Sequence, residues 1–328
     1  MRRSVVFFLL ALGLILGACR STTAQSTVPA AEDTSPATST TLPEPAPATT
    51  TSIAAEPAFP VTVETDQGPV TLPQRPDRIV SLSATHTEIL YAVGAGPQVV
   101  ATDLFSNYPP QAELTPKLDA FSFSIEEVAA QDPDLVILAF DFQGEADALA
   151  ALEIPFLLLG PPATLEGALQ QHLVVGAATG HGEAAEALVE EVSAGVAEII
   201  EAATPYAGTT IFHEVDETLF SATSGSFIGD LYGRLGFVNI ADAAGVDGPF
   251  PQLTAEFVVD QDPEFIFLAD AGFGVTPESV AERPGWDTIS AVAEDNVVAL
   301  DGDIAGRWGP RTVDLLGSIY RAVLVGSQ

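Results

Sequence analysis

Short, continuous apolar runs recur along the chain with amphipathic segments between them. Arg78–Leu82, Gln98–Thr102, Leu135–Phe140, Thr210–His213, Phe265–Ala269 and Asn296–Leu300 are the runs. Runs of this length without polar alternation predict strands covered on both faces, as in parallel sheets. Val61–Val63 and Pro69–Leu72 predict a short hairpin ahead of them. Helices fill the intervals. Thr85 to Glu88 reads as a capping box opening a helix that ends at Gly94 and Gly96. The loop Thr223–Ser226 enters another helix, and Thr312–Val325 predicts a terminal one. Glu183 to Ala203 carries Ala187, Leu188, Val192, Val196, Ile199 and Ile200 on a helical period. A helix of that length is ~30 Å long, the width of a small domain. Gly180-His181-Gly182 separates it from a preceding helix that starts near Thr164. His172 and His181 are expected on the surface of these two central helices.

One segment occurs twice. Ser124–Ala139 and Thr254–Ala269 align without a gap, and Glu126/Glu256, Val128/Val258, Gln131/Gln261, Asp132/Asp262, Pro133/Pro263, Leu138/Leu268 and Ala139/Ala269 are identical. In each copy a Ser or Thr caps a helix, Asp-Pro ends it, and an apolar strand follows. A spacing this long exceeds the ~20–50 residues of solenoid repeats. It describes two similar lobes, each with its own core, and therefore a cleft between them. The predicted fold is α/β: two lobes, each with a mostly parallel sheet flanked by helices, joined by a single long rigid helix.

The N-terminus lies outside this pattern. Arg2 and Arg3 precede an apolar run from Val5 to Ala18, too short for a mature membrane span, and the run ends at Cys19. Leu16-Gly17-Ala18-Cys19 resembles a bacterial lipobox, which implies cleavage before Cys19 and a diacylglycerol on its thiol. Residues 20 to 58 are Ser, Thr, Ala and Pro, a composition that cannot offset the entropy of ordering, so a disordered tether is expected. The predicted organisation is a signal peptide at 1–18, a tether at 19–58, an N-terminal lobe at 59–163, inter-lobe helices at 164–204 and a C-terminal lobe at 205–328. The expected location is the outer face of a bacterial cytoplasmic membrane, reached through lipid.

Composition narrows the function. The formal charge of −34 repels nucleic acid, and no nucleic-acid partner is expected. Cys19 is the only Cys, so there is no intrachain disulfide and no Cys-based metal or redox site. The chain has no Gly-x-Ser-x-Gly, no His-Glu-x-x-His and no phosphate-binding Gly-Lys-Ser/Thr loop. Gly94 and Gly96 follow a helix, so they are no dinucleotide fingerprint. The chain reads as a binding module and not as an enzyme.

At Arg78–Ser83, Thr87-Glu88, Asp132–Ile137 and the central helix, together with the lipobox and tether, the chain resembles class III solute-binding proteins of ABC importers. Ser106–Ala112 with its Tyr108-Pro109-Pro110, Gly248–Gln252, and Asp303 to Arg307 followed by Pro310-Arg311 are similar to segments of the vitamin B12-binding members. The resemblance implies a metal chelate held between the lobes, cobalamin first, with haem or a ferric siderophore as the alternative. It implies no intrinsic cofactor. It also implies a monomer that docks on a permease dimer through one Glu per lobe, and Glu126 and Glu256 occupy those positions. Their alternative role is to stabilise the positive ends of their helices.

Aromatic residues near strand ends, where open α/β sheets bind ligands, are the candidate contacts for a flat chelate: Tyr108, Phe121, Phe140, Phe142, Phe220, Phe250 and Trp308. The resemblance sets Asp303 and Arg307 against amide groups on the corrin rim; their i, i+4 spacing also suits a simple mutual pair. His86, in the first turn of a helix expected to open on the cleft, is a further ligand candidate and a speculative metal ligand. His213 is a possible second imidazole.

Overall fold

The structure, a computed structural model, describes residues 59–122 and 124–328. The expected signal sequence, lipidated Cys19 and disordered tether fall on residues outside those described. The described residues belong to one compact unit.

The chain opens with an antiparallel hairpin, β1 (Val61–Thr65) and β2 (Gly68–Leu72). The first lobe follows in order: β3 (Ile79–Leu82), α1 (Ala84–Ala92), β4 (Val99–Asp103), β5 (Lys117–Leu118), α2 (Ile125–Ala129), β6 (Leu135–Leu138), α3 (Glu145–Ala151) and β7 (Phe156–Leu158). Its five strands are all parallel, in the order β5-β4-β3-β6-β7. Two helices follow, α4 (Leu165–Thr179) and α5 (Gly182–Ala203). The second lobe contains β8 (Thr210–Glu214), α6 (Phe227–Arg234), β9 (Val238–Asn239), α7 (Ala255–Gln261), β10 (Phe265–Leu268), α8 (Pro277–Ala281), α9 (Ser290–Ala293), β11 (Val297–Ala299), α10 (Gly302–Ala305) and α11 (Thr312–Gly326). Its sheet is parallel in the order β11-β10-β8-β9. The expected pair of parallel-sheet lobes is present.

Each sheet is buried on both faces, which explains the unalternating strands. Ile79, Leu135 and Ile137 pack under α1, α4 and α5, while Val80, Leu82, Val136 and Leu138 meet Val128 of α2 and Leu149 of α3. In the second lobe Ile211, Phe265 and Phe267 face α5, α6 and α11, and Phe212, Ile266 and Leu268 face Val258 and Trp286.

The repeated segment is the α2-β6 unit and its counterpart α7-β10. Asp132 and Asp262 both sit in the left-handed region, at φ 50° and 45°, and turn the chain out of the helix before Pro. The next acid then holds the start of the neighbouring strand. Asp134 accepts from the backbone N–H of Asp77 and Arg78 at 2.8 and 2.9 Å, and Glu264 accepts from that of Thr210 at 2.8 Å.

Two expectations need correction. The helix cap is Ser83, whose Oγ accepts from the His86 N–H, so Glu88 lies in the middle of α1 and caps nothing. His172 is buried, because α4 is enclosed by both lobes. The long helix α5 runs between the lobes, as expected, and α4 packs along it. Leu165 and Ala168 of α4 join the second lobe's core, whereas Val174, Val175 and Ala178 join the first's. Conversely, Ala185 of α5 joins the first core and Val192, Val196 and Ala203 the second. The two helices cross tightly at Gly176, where a Cβ would stand 2.2 Å from that of Ala185.

Candidate functional site

The carboxyl ends of the strands in both lobes lead to a cavity of about 570 Å³. Its first-lobe wall comes from Leu82 to Thr85 after β3, Asp103 and Phe105 after β4, Ala120 and Phe121, and Ala139 and Phe140 after β6. The second lobe supplies Gly272 and Phe273 after β10, and Asp301 to Trp308 around α10. Both sets follow strand ends because side chains there leave the sheet and meet neither covering layer.

The apolar wall is a run of exposed phenylalanines. Phe140 stacks on Phe142 with ring centroids 5.0 Å apart, Phe142 on Phe121 at 5.8 Å, and Phe105 meets Phe121 edge-on at 5.9 Å. The rings of Phe105, Phe121, Phe140 and Phe142 are 52, 50, 40 and 58 % exposed. Water-facing aromatic surface on this scale costs free energy unless a ligand covers it. Phe273, exposed on the opposite lobe, faces the same cavity.

Asp303 and Arg307 make the floor polar. Glu88, 2 % exposed, lines a second cavity with Arg311 and lies between two guanidinium groups. Its Oε1 accepts from Arg307 Nη1 at 2.7 Å and from Arg311 Nη2 at 2.6 Å, and its Oε2 accepts from Arg311 Nε at 2.9 Å. Arg307 also donates to Asp303 Oδ1 at 2.8 Å, the Phe105 carbonyl at 2.8 Å and Asn107 Oδ1 at 3.0 Å. Asn107 Nδ2 in turn donates to Asp303 Oδ2. The hydrogen bonds that Arg311 donates to Glu88 push its guanidinium further up its already high range. These contacts join residues about two hundred positions apart and tie α1 to the segment after α10.

Beside them, Gln171 of α4 accepts on Oε1 from Trp308 Nε1 at 2.7 Å and lies 3.1 Å from His86 Nε2. The amide oxygen cannot donate, so His86 carries its proton on Nε2 and accepts on Nδ1 from Ser83 Oγ at 2.8 Å. Burial lowers the His86 pKa to about 4, so the ring is neutral. Both ring nitrogens are engaged and the ring is fully buried, so the speculative metal-ligand role loses its physical basis. His213 is also buried, with Nδ1 3.0 Å from Tyr232 Oη, and burial lowers its pKa to about 4. Among the described residues no cluster of three or more His, Cys, Asp or Glu could hold a metal ion.

The structure thus gathers Phe121, Phe140, Asp303, Arg307 and Trp308 at one cavity, with Phe142 stacked behind it. Trp308 is largely buried. Tyr108 instead lines a larger cavity of about 990 Å³ between α1, α5 and α11, where its ring stacks under Arg311 at 4.3 Å. Phe220 and Phe250 are exposed on loops joined by the Phe220–Gln252 bridge and line neither cavity. Sequence reasoning passed over Phe105, Phe273, Asn107 and Glu88. Phe105 follows β4 as directly as Phe140 follows β6, so the strand-end rule applied evenly would have found it, whereas Phe273 lies further along the loop after β10. Glu88 had no such signal, because it reads as a helix cap.

Glu126 and Glu256 are exposed in the first turns of α2 and α7, one on each lobe. Neither makes a side-chain hydrogen bond or ion pair among the described residues, unlike the acids two turns later in each repeat.

Comparison with known proteins agrees with this architecture. The periplasmic binding protein family profile matches residues 79–304. The chain is 29 % identical over 276 residues to an uncharacterized ABC transporter substrate-binding lipoprotein, YvrC, of Bacillus subtilis, covering 80 % of this chain and 86 % of that one. It is 27 % identical to a vitamin B12-binding protein of Vibrio cholerae, covering 74 % of this chain and 87 % of the other. Among solved structures, the heme-binding protein RhuT of Roseiflexus sp. RS-1 superposes with a TM-score of 0.70 at 24 % identity, covering 77 % of this chain and 99 % of that one. The vitamin B12-binding protein BtuF of Vibrio cholerae gives a TM-score of 0.66 at 24 % identity, covering 77 % and 98 %. The chain belongs to the periplasmic binding protein family, and it is a solute-binding protein with two parallel-sheet lobes and not an enzyme.

Proposed function

We propose that this protein is the receptor of an ABC importer and captures a broad, flat metal chelate, a corrinoid, in the cleft between its lobes. The observation that carries the reading is the exposed wall of Phe105, Phe121, Phe140 and Phe142, faced by Phe273 across the cavity. Stacked rings present large apolar area at small entropic cost, which suits a macrocycle. Asp303 on the floor offers a carboxylate to rim amides. Relatives named as cobalamin-binding and vitamin B12-binding proteins support the same class.

Haem is the second reading, favoured by fold neighbours named as heme-binding proteins. It fits less well. His86 and His213 are buried, and an axial imidazole needs an accessible lone pair.

The wider assembly belongs to the same proposal. Cys19 would carry lipid and hold the body, through the tether, at the outer face of the cytoplasmic membrane; the word lipoprotein in a relative's name supports this. Glu126 and Glu256 would pair with basic residues on the two subunits of a permease, with the receptor acting as a monomer.

Calorimetric titration of the purified full chain with cyanocobalamin, haemin and a ferric siderophore tests the ligand assignment. The expected result is one-to-one binding of cyanocobalamin at micromolar or tighter affinity and weaker binding of the other two. Preference for haemin or the siderophore would overturn the corrinoid assignment.

A further inference from the structure

The cleft contains a cation that is mostly committed within the protein. Arg307 is the one basic residue in the cavity wall among the described residues, and it is only 8 % exposed. Four hydrogen bonds occupy its two terminal nitrogens: to Glu88, Asn107, the Phe105 carbonyl and Asp303. A ligand group that sought either terminal nitrogen would have to displace a carboxylate or a carbonyl, which leaves only the Nε–H. Arg311, behind it, is held by both oxygens of the same Glu88 and lies over the Tyr108 ring. The remaining nearby cation, Lys117, turns its Nζ to the carbonyls of Ser106 and Ala112 and to Thr102 Oγ1, and it does not line the cavity.

The acids outnumber these cations. Asp301 is exposed at the cavity and Asp303 is about half exposed, at 44 % of its side chain. Asp103 lies in the wall as well. Glu88 carries one charge against the two of Arg307 and Arg311, and Asp303 supplies the second. Without Glu88 the group would carry a net positive charge and attract an anionic ligand. With it the group is balanced, and Asp301 adds an exposed carboxylate to the cleft.

We infer that Glu88 is the charge-selecting residue of this site. By holding Arg307 and Arg311 it positions Asp303 toward the cleft and makes the site accept chelates of no net negative charge in preference to anionic ones. Glu88 acts through the two arginines without touching the ligand, so it is a positioning residue. The inference rests on the chelate-receptor reading and adds to it the charge class of the ligand.

The test compares two probes that differ by one charge: cyanocobalamin, and its rim monocarboxylic acids, in which one side-chain amide is a carboxylate. Both are titrated into the purified full chain at about 0.02 M and about 0.5 M salt, where the screening length falls from tens of ångströms to a few. The expected result is binding of the acids about fivefold weaker than that of cyanocobalamin at low salt, with the gap narrowing at high salt, as repulsion between like charges requires. Glu88→Gln should close or reverse the gap by freeing positive charge on the floor. Should that variant fail to fold, Asp303→Asn removes an exposed acid from the same floor and should narrow the gap in the same direction. A merely structural Glu88 would weaken both probes equally and leave the salt response unchanged. Acids that bind more tightly than cyanocobalamin at low salt, or a gap unmoved by either variant, would overturn the inference. Failure of both probes to bind would instead remove the chelate reading, and this inference with it.

Discussion

Asp270 is 3 % exposed at the end of β10, and neither of its carboxylate oxygens has a hydrogen-bond partner among the described residues. Its neighbours explain the strain of that position. Arg283 gives both terminal nitrogens to Glu214, at 2.6 Å each, and stacks over Trp286, so it has little left for a second acid. Burial first, and then the Glu214 charge, raise the Asp270 pKa to about 6. A carboxyl whose folded-state pKa lies above its ordinary value takes up a proton on folding as pH falls, so it costs stability when ionised. Asp270→Asn should therefore be more stable than wild type at pH 7, on the order of 1 kcal/mol. The advantage should vanish as pH falls through about 6 toward the ordinary carboxylate range. Urea unfolding curves of both proteins across that range check this. At this scale the site was partly legible in the sequence. Phe121 and Phe140 were readable because they leave the ends of strands whose apolar pattern was plain. Glu88 was not readable, because its two partners lie more than two hundred residues away and a Thr-x-x-Glu spacing has a local explanation at hand.

Elements were read more reliably than their junctions. The strands stood out because a doubly covered sheet leaves no polar position, and the repeated helix-Asp-Pro-strand unit marked one of them in each copy. The start of α1 was read late because Ser83 and Thr85 both suit a cap, and only the packed structure shows that Ser83 Oγ meets the His86 N–H. The long helix α5 was evident from its period, but its pairing with α4 across both cores was not. That pairing depends on Gly176 against Ala185, and α5 meets α11 almost as closely at Gly195, whose Cβ would lie 3.0 Å from Val313. Gly176→Ala gains helix propensity but must push the two helices apart, since the added methyl would overlap that of Ala185. The expected net effect is a loss of about 1–3 kcal/mol in urea unfolding. Gly233→Ala, in open space on α6, should lose none and serves as the control.

On the scale of the whole molecule, α1 is tied to the second lobe through Glu88 and through the His86-Gln171-Trp308 chain, while α4 and α5 run through both cores. A body held at these points presents its two lobes in a fixed relation, which suits recognition by a partner with two-fold symmetry. The Glu126 and Glu256 pair belongs to this scale. Asp132, Asp134, Asp262 and Glu264 of the repeat have structural partners, and Glu126 and Glu256 have none among the described residues. Exchange of both for Arg should abolish uptake by the intact importer while leaving chelate affinity within about twofold, since exposed charges far from the cleft contribute little to it. Transport at the wild-type rate by the double variant would show that the pair only stabilises its helices. The central claim, that the phenylalanine wall is the seat of a corrinoid, is tested most directly by calorimetry with cyanocobalamin on two proteins: wild type and the Phe121→Ala, Phe140→Ala, Phe142→Ala variant. The account predicts one-to-one binding by the wild type and at least about a hundredfold weaker binding by the variant. Equal affinities, or no binding by the wild type, would contradict it.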